Sequence, residues 1–227
     1  SKNYKNDNFE EVELNFKLEQ VSDETYLKAY KIESPIINNT SNLTNSLGIN
    51  LFDEDMSIST NLDIYEDLSK QDNDKFEYVP NFSFSRIINS NNSFYSKGYY
   101  KNYNTNITEK VLINNFEFLS TPKFLNNGVI NENKLLVTNV NSSASNSKKF
   151  KNENSFNLIP TFQTNYSYPL IKETTKSSNT LTPKLSIRLS TPHTKDIRNT
   201  DRKIKYDNIY DLNRLGIDES NEGGISF

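Results

Sequence analysis

The sequence predicts an all-β chain, a long antiparallel meander of about ten strands. Three observations point there: apolar and polar residues alternate with period two in segment after segment, the alternating runs are mostly about 10–14 residues long, and most gaps between them are short enough for hairpins.

The first run covers 9–19, where Val12, Leu14, Phe16 and Leu18 alternate with Glu11, Glu13, Asn15, Lys17 and Glu19. Residues 22–32 (SDETYLKAYKI) carry the chain's one helix-like start, with Ser22 or Asp23 as its cap. Strands follow at 44–53 and 56–67; in the second, Met56, Ile58, Thr60, Leu62 and Ile64 oppose Ser57, Ser59, Asn61 and Asp63. Runs at 75–89, 93–103, 108–121 and 129–141 alternate more weakly. In 156–168, Leu158, Phe162, Tyr166 and Tyr168 alternate with Thr161, Gln163, Asn165 and Ser167. The cleanest run is 179–191, with Leu181, Pro183, Leu185, Ile187 and Leu189 on one side and Thr182, Lys184, Ser186, Arg188 and Ser190 on the other. A last short strand is expected at 223–227. Pro80, Pro160 and Pro183 fall inside these runs and are expected at strand entries, because proline donates no ladder hydrogen bond.

Composition removes several function classes. The 227 residues hold 26 basic and 29 acidic side chains, one His and no Cys. Thiolate chemistry, disulfides and Cys- or His-pair metal sites are excluded, and a net charge of -3 argues against a nucleic-acid partner. No apolar run is long enough for a transmembrane helix. The 36 asparagines read as codon pressure from an AT-rich genome. Asp53-Glu54-Asp55 reads as a solvated turn, since two residues cannot wrap a hard cation. Glu11 and Glu13 share a strand face but have no apolar pocket to raise a pKa, and His193 lacks a nucleophile elbow. No catalytic, metal-binding or cofactor-binding residues are assigned, and the chain is not expected to be an enzyme.

Long two-faced strands suit a membrane β-barrel, whose apolar outer positions alternate with a wet lumen, and equally a soluble sheet with one solvated face. The connections sort into two sets. Gaps 54–55, 90–92, 122–128 and 170–178 are mostly short, whereas 20–43, 142–155 and 192–222 are long and fall in the other set. Outer-membrane barrels show this asymmetry, with short periplasmic turns and longer extracellular loops. On that reading the long set is extracellular.

From Tyr168 onward the chain runs YPLIKETTKSSNTLTPKLSIRLSTP and then RNTDRKIKYDNIYDLNRLGIDESNEGG, which resembles the barrel domain of the LPS-assembly protein family (LptD, also called OstA). Asp207, Asn208, Asn213, Arg214, Gly216, Asp218, Glu222 and Gly223 fall on positions of that family's loop motif. The departures are Ile209-Tyr210 for Leu-Phe, Leu215 for an aromatic, and Glu219 for an Arg, which weakens any role needing that second Arg. VSDETYLKAY at 21–30 and KFEYVPNFSF at 75–84 are similar to two further family segments.

The resemblance implies a large outer-membrane β-barrel of about 26 strands, preceded by a periplasmic jellyroll. Its lipopolysaccharide would arrive from a periplasmic LptA-like bridge and enter the outer leaflet through a lateral opening, with an LptE-like lipoprotein plug in the lumen. Ten strands are too few for such a barrel. Residues 1–227 are therefore expected to be an open, interior piece of it, without the jellyroll, the gate strands or a signal peptide. Lys184 and Arg188 are candidates to face the lumen and meet anionic sugar or phosphate groups. Residues 192–222 are expected to form an extracellular loop with Asn213 and Arg214 ordered against the sheet. A soluble β-sandwich of the adhesin or carbohydrate-binding kind and a substrate-uptake barrel remain as alternatives.

Overall fold

The computed structural model describes residues 2–6, 9–33, 41–103, 106–191, 205, 208–215 and 223–226. The elements are β1 (Lys2–Asn6), β2 (Phe9–Lys17), α1 (Tyr26–Tyr30), β3 (Asn42–Phe52), β4 (Met56–Asp67), a single 3₁₀ turn (Asp72–Lys75), β5 (Phe76–Asn89), β6 (Asn92–Tyr103), β7 (Ile107–Leu119), β8 (Lys123–Phe124), β9 (Ile130–Ser145), β10 (Ser155–Ser167), β11 (Leu170–Glu173), β12 (Ser178–Leu181), β13 (Lys184–Ser190) and β14 (Gly224–Ser226). One sheet runs in the order β1-β2-β3-β4-β5-β6-β7-β9-β10-β13-β14, with β8 paired to β9. It is an open antiparallel meander, as the alternation predicts. The chain divides into two compact units, one of Ser1–Arg86, Tyr95–Ile113 and Asn141–Phe156, the other of Ile87–Phe94, Asn114–Val140 and Asn157–Phe227.

In the first unit the register stacks like with like. Phe16 pairs with Leu47, Leu47 with Leu62, and Leu62 with Pro80, forming an apolar row across four strands. The next row on that face is Leu14, Ile49, Thr60 and Phe82. Leu14, Phe16, Leu47, Ile49, Leu62 and Phe82 are all exposed, so this face has no covering layer among the described residues. The opposite face reads Glu13, Asn50, Ser59 and Ser83, then Asn15, Gly48, Asn61 and Asn81. Side chains there bond across the strands: Asn50 Nδ2 donates to Glu13 at 3.0 Å, Ser59 Oγ to Asn50 at 2.7 Å, and Asn81 Nδ2 to Asp63 at 3.0 Å. Asparagine suits this role because one short side chain both donates and accepts.

A small apolar cluster closes one end of this unit. Leu27 of α1 packs with Leu43, Leu68 and Val21. Buried Glu19 accepts from the Thr44 amide at 2.8 Å and ties the chain leaving β2 to the start of β3. The N-cap of α1 is Thr25 rather than Ser22 or Asp23; Asp23 instead accepts from the amide and the hydroxyl of Thr25. Asp53 and Met56 exchange backbone bonds around a two-residue turn at Glu54-Asp55, as expected.

In the second unit β10 and β13 pair from Thr161↔Ser190 to Ser167↔Lys184. The expected single strand 179–191 is instead two, β12 and β13, interrupted at Thr182-Pro183. Proline has no N–H for the ladder, and a second proline, Pro169, lies opposite. The register nevertheless continues. Ser167↔Lys184 is followed by Leu170↔Leu181, three residues on and three back, and ends at Glu173↔Ser178. Pro183 is a strand-entry residue, but Pro80 and Pro160 lie inside β5 and β10. Each removes one donor within its strand, and Pro160 still accepts from the Thr191 amide.

Candidate functional site

The side chains best placed for function lie on the polar face, in two groups. The first belongs to β10 and β13. Thr161 and Gln163 of β10 share a face with Ser186 and Arg188 of β13, and all four are buried. The segment 208–215 lies against them. Gln163 Nε2 donates to the Tyr210 carbonyl at 2.8 Å, and Arg188 Nη2 to the Leu212 carbonyl at 3.1 Å. Tyr210 returns a bond from its hydroxyl to the Lys184 carbonyl at 3.4 Å, and Lys184 Nζ lies 5.7 Å from the Tyr210 ring centre. Leu212 and Arg214 are buried. On the other side of the same strand, Leu185, Ile187 and Leu189 are exposed, so period two separates a polar, covered face from an apolar, uncovered one.

Asn208 holds the segment's own shape. It accepts from the Lys205 amide at 2.7 Å, and its Nδ2 donates to the Arg214 carbonyl at 3.1 Å. The Asp211 amide closes a turn back to the Asn208 carbonyl at 3.0 Å. An Asn side chain that mimics a backbone turn suits this geometry. Among the sequence candidates, the structure thus brings Asn208, Asn213 and Arg214 into one segment beside Lys184 and Arg188. Gly223 is exposed and leads into β14. Asp207, Gly216, Asp218, Glu222 and His193 lie outside the described residues. Gln163 and Leu212 complete the contact, with Thr161 and Ser186 buried on the same face, and none of these is singled out by the sequence as a site. The signal available was phase: Gln163 lies two residues from Thr161 and from Asn165 on the polar side of β10.

The second group is a recess of about 610 Å³ in the first unit, lined by Glu77, Tyr99, Lys101, Tyr103, Glu109 and Lys148, among others. Lys101 pairs with Glu77 at 2.7 Å and stands 4.5 Å from the Tyr103 ring centre. Tyr103 donates its hydroxyl to buried Glu109 at 3.1 Å. Glu77 is in phase with Val79 and Asn81, which places this recess on the same face as the asparagine bonds. Phenol rings, carboxylates and ammonium groups together match a hydroxylated, anionic ligand: rings against sugar faces, carboxylates on hydroxyls, lysines on phosphate.

Strands of 11–16 residues in β3–β7, β9 and β10, one uncovered apolar face and one hydrogen-bonded polar face fit the wall of an outer-membrane β-barrel. Among the described residues no helix is long and apolar enough to cross a membrane. The family model described as LPS transport system D matches residues 2–224. The chain belongs to the LptD family of lipopolysaccharide transport proteins. No curated protein matches it.

Proposed function

We propose that this chain forms part of the wall of a Gram-negative outer-membrane barrel that inserts lipopolysaccharide into the outer leaflet. The supporting observation is the back-to-back register of β2–β5: the row Phe16, Leu47, Leu62, Pro80 is apolar and exposed, and the adjacent row Asn15, Gly48, Asn61, Asn81 is polar. Lipopolysaccharide is amphipathic. Its acyl chains belong beside the first row and its sugars beside the second, so one wall serves both without covalent chemistry. Among the described residues β1 and β14 are the outer strands of this sheet. The recess at Tyr99, Lys101 and Tyr103 would meet sugar and phosphate groups in transit, while 208–215 narrows the lumen beside Gln163 and Arg188. An LptA-like bridge and an LptE-like plug are the partners this reading requires. Depleting the intact protein should deprive the cell surface of new lipopolysaccharide, read by surface labelling. Unchanged surface delivery would refute the proposal.

A further inference from the structure

The apolar face of the first unit is not evenly filled. Gly98 and Ser142 leave a gap among Phe82, Leu112 and Phe156, and the recess there has a volume of about 750 Å³. That lies within the roughly 300–1,000 Å³ of small-molecule sites. At its floor a Cβ on Gly98 would stand 2.6 Å from Phe82 Cε1 and 3.1 Å from the Val111 carbonyl oxygen, so a side chain there must displace the Phe82 ring and occupy the recess. The recess also has a polar margin. Lys110 lines it, with Nζ 5.7 Å from the Tyr100 ring centre, and Asn154 lines it with Ser142. No carboxylate is among the lining residues, so the charge of the recess is that of Lys110.

The position of Lys110 fits a headgroup. It is the fourth residue of β7, about 10 Å along the strand from Ile107. A cation on a lipid-facing wall is costly at the bilayer midplane and nearly free at the interface, where a lysine stem can reach outward. β6 ends at Tyr103 and β7 begins at Ile107 at this end of the strand, the end that also carries the long 142–155 connection between β9 and β10.

We propose that this recess is a lipid site on the outer wall of the barrel, taking one acyl chain of a lipopolysaccharide molecule and holding a phosphate of its acylated sugar base at Lys110. The choice of lipid rests on the proposed function, which turns the long connections and hence Lys110 toward the outer leaflet. An acyl chain gains little by leaving one apolar phase for another. Selection must therefore come from the headgroup, and the single positive charge with hydroxyl and amide neighbours selects phosphate. The site would hold delivered lipid against the wall, away from the lumen.

The test is native mass spectrometry of the intact protein released from nanodiscs, scoring a one-to-one lipid adduct. Three bilayers are compared: phosphatidylcholine with lipopolysaccharide, phosphatidylcholine with phosphatidylglycerol, and phosphatidylcholine alone. The lipopolysaccharide adduct should dominate, fall about fivefold in Lys110→Gln and return in Lys110→Arg. Gly98→Leu, which fills the floor, should lose the adduct as well. If Gly98→Leu fails to assemble, the lysine pair decides alone, since it changes only an exposed tip. Equal retention of phosphatidylglycerol, or a Lys110→Gln adduct within twofold of the unsubstituted protein, overturns the proposal. Lipopolysaccharide delivery by the unsubstituted protein is scored separately. Its absence would refute the proposed function, while the adduct still decides the recess.

Discussion

Arg188 has only 2% of its surface exposed and donates through Nη2 to the carbonyl oxygen of Leu212 at 3.1 Å. A guanidinium under a loop holds that loop only while its donors are matched, since a buried charge without partners is expensive. Arg188→Met keeps the stem and volume but removes the donors. The expected loss is about 1.5–3 kcal/mol of local stability, the usual worth of a hydrogen bond to a charged group. Hydrogen exchange should show amides of 208–215 opening faster while β10 and β13 keep their protection. Unchanged exchange in 208–215 would mean that Leu212 and Arg214 hold the segment without Arg188.

Gln163 and Arg188 reach the same segment from neighbouring strands, so their effects should not add. Gln163→Leu removes the 2.8 Å bond to the Tyr210 carbonyl. Once either bond is gone the segment opens, and losing the second costs less. A double-mutant cycle on the opening of 208–215 should give a coupling of about 0.5 kcal/mol or more. Simple additivity would show two independent contacts.

How much of this was legible beforehand differs between strand and contact. The limits of β4 were readable to the residue, because its register puts Ile58 and Leu62 against apolar partners on both sides and alternation alone marks that. The break at Thr182-Pro183 was not. The apolar phase carries straight through it from Leu181 to Leu185, and Pro183, which interrupts the ladder, sits in phase. Phase also marks Gln163 as polar-facing but cannot say that another segment covers it, which depends on residues some 47 positions away. The abundance of asparagine does not foretell that Asn50, Asn61 and Asn81 bond across the strands. Three elements were missed. β1 is five largely polar residues, β8 is two, and β11 lies inside what reads as a turn.

The two faces of β4 and β5 should tolerate charge unequally. Leu62 sits mid-strand in an apolar row, and Ser83 pairs with Ser59 in a polar one. A lysine at Leu62 would meet lipid at a cost of about 2–4 kcal/mol if it lies at the midplane. Lysine at Ser83 would meet the wet face at little cost. Assembly of the intact barrel, read by heat-modifiable gel mobility, should fall in Leu62→Lys and hold in Ser83→Lys. The reverse order would place the membrane on the other face.

Lys75 joins two connections of the first unit, bonding Glu66 at 2.6 Å and Glu24 at 3.0 Å. The bond to Glu66 first, then that to Glu24, raises its pKa above the ordinary lysine value. A raised pKa means the folded state holds this proton more tightly than the unfolded one. The contribution is therefore complete below the unfolded value of about 10.4 and disappears as pH climbs through the raised value. Proteolytic nicking near 66–76 should stay constant from neutral pH upward and increase only beyond that range. Glu66→Gln should show the increased nicking at neutral pH already.

The hairpin from Leu170 to Leu181 should be removable without disturbing the strands that carry it. All eight residues of β11 and β12 are exposed, so deletion uncovers no core. The pairing of this hairpin continues that of β10 and β13, and Ser167↔Lys184 precedes it. Deleting 170–181 would leave Tyr168, Pro169, Thr182 and Pro183 as a four-residue loop, a length common in hairpins. Thr161↔Ser190 and the pairs between it and Lys184 would then keep their partners, Leu185, Ile187 and Leu189 would stay on the apolar face, and Arg188 would stay beneath Leu212. A register slip of one residue would reverse all of these faces. The deletion variant should therefore assemble with unchanged heat-modifiable mobility and unchanged protection of 208–215. Loss of protection there would show that the hairpin sets the β10–β13 register, and that the sheet beneath it does not.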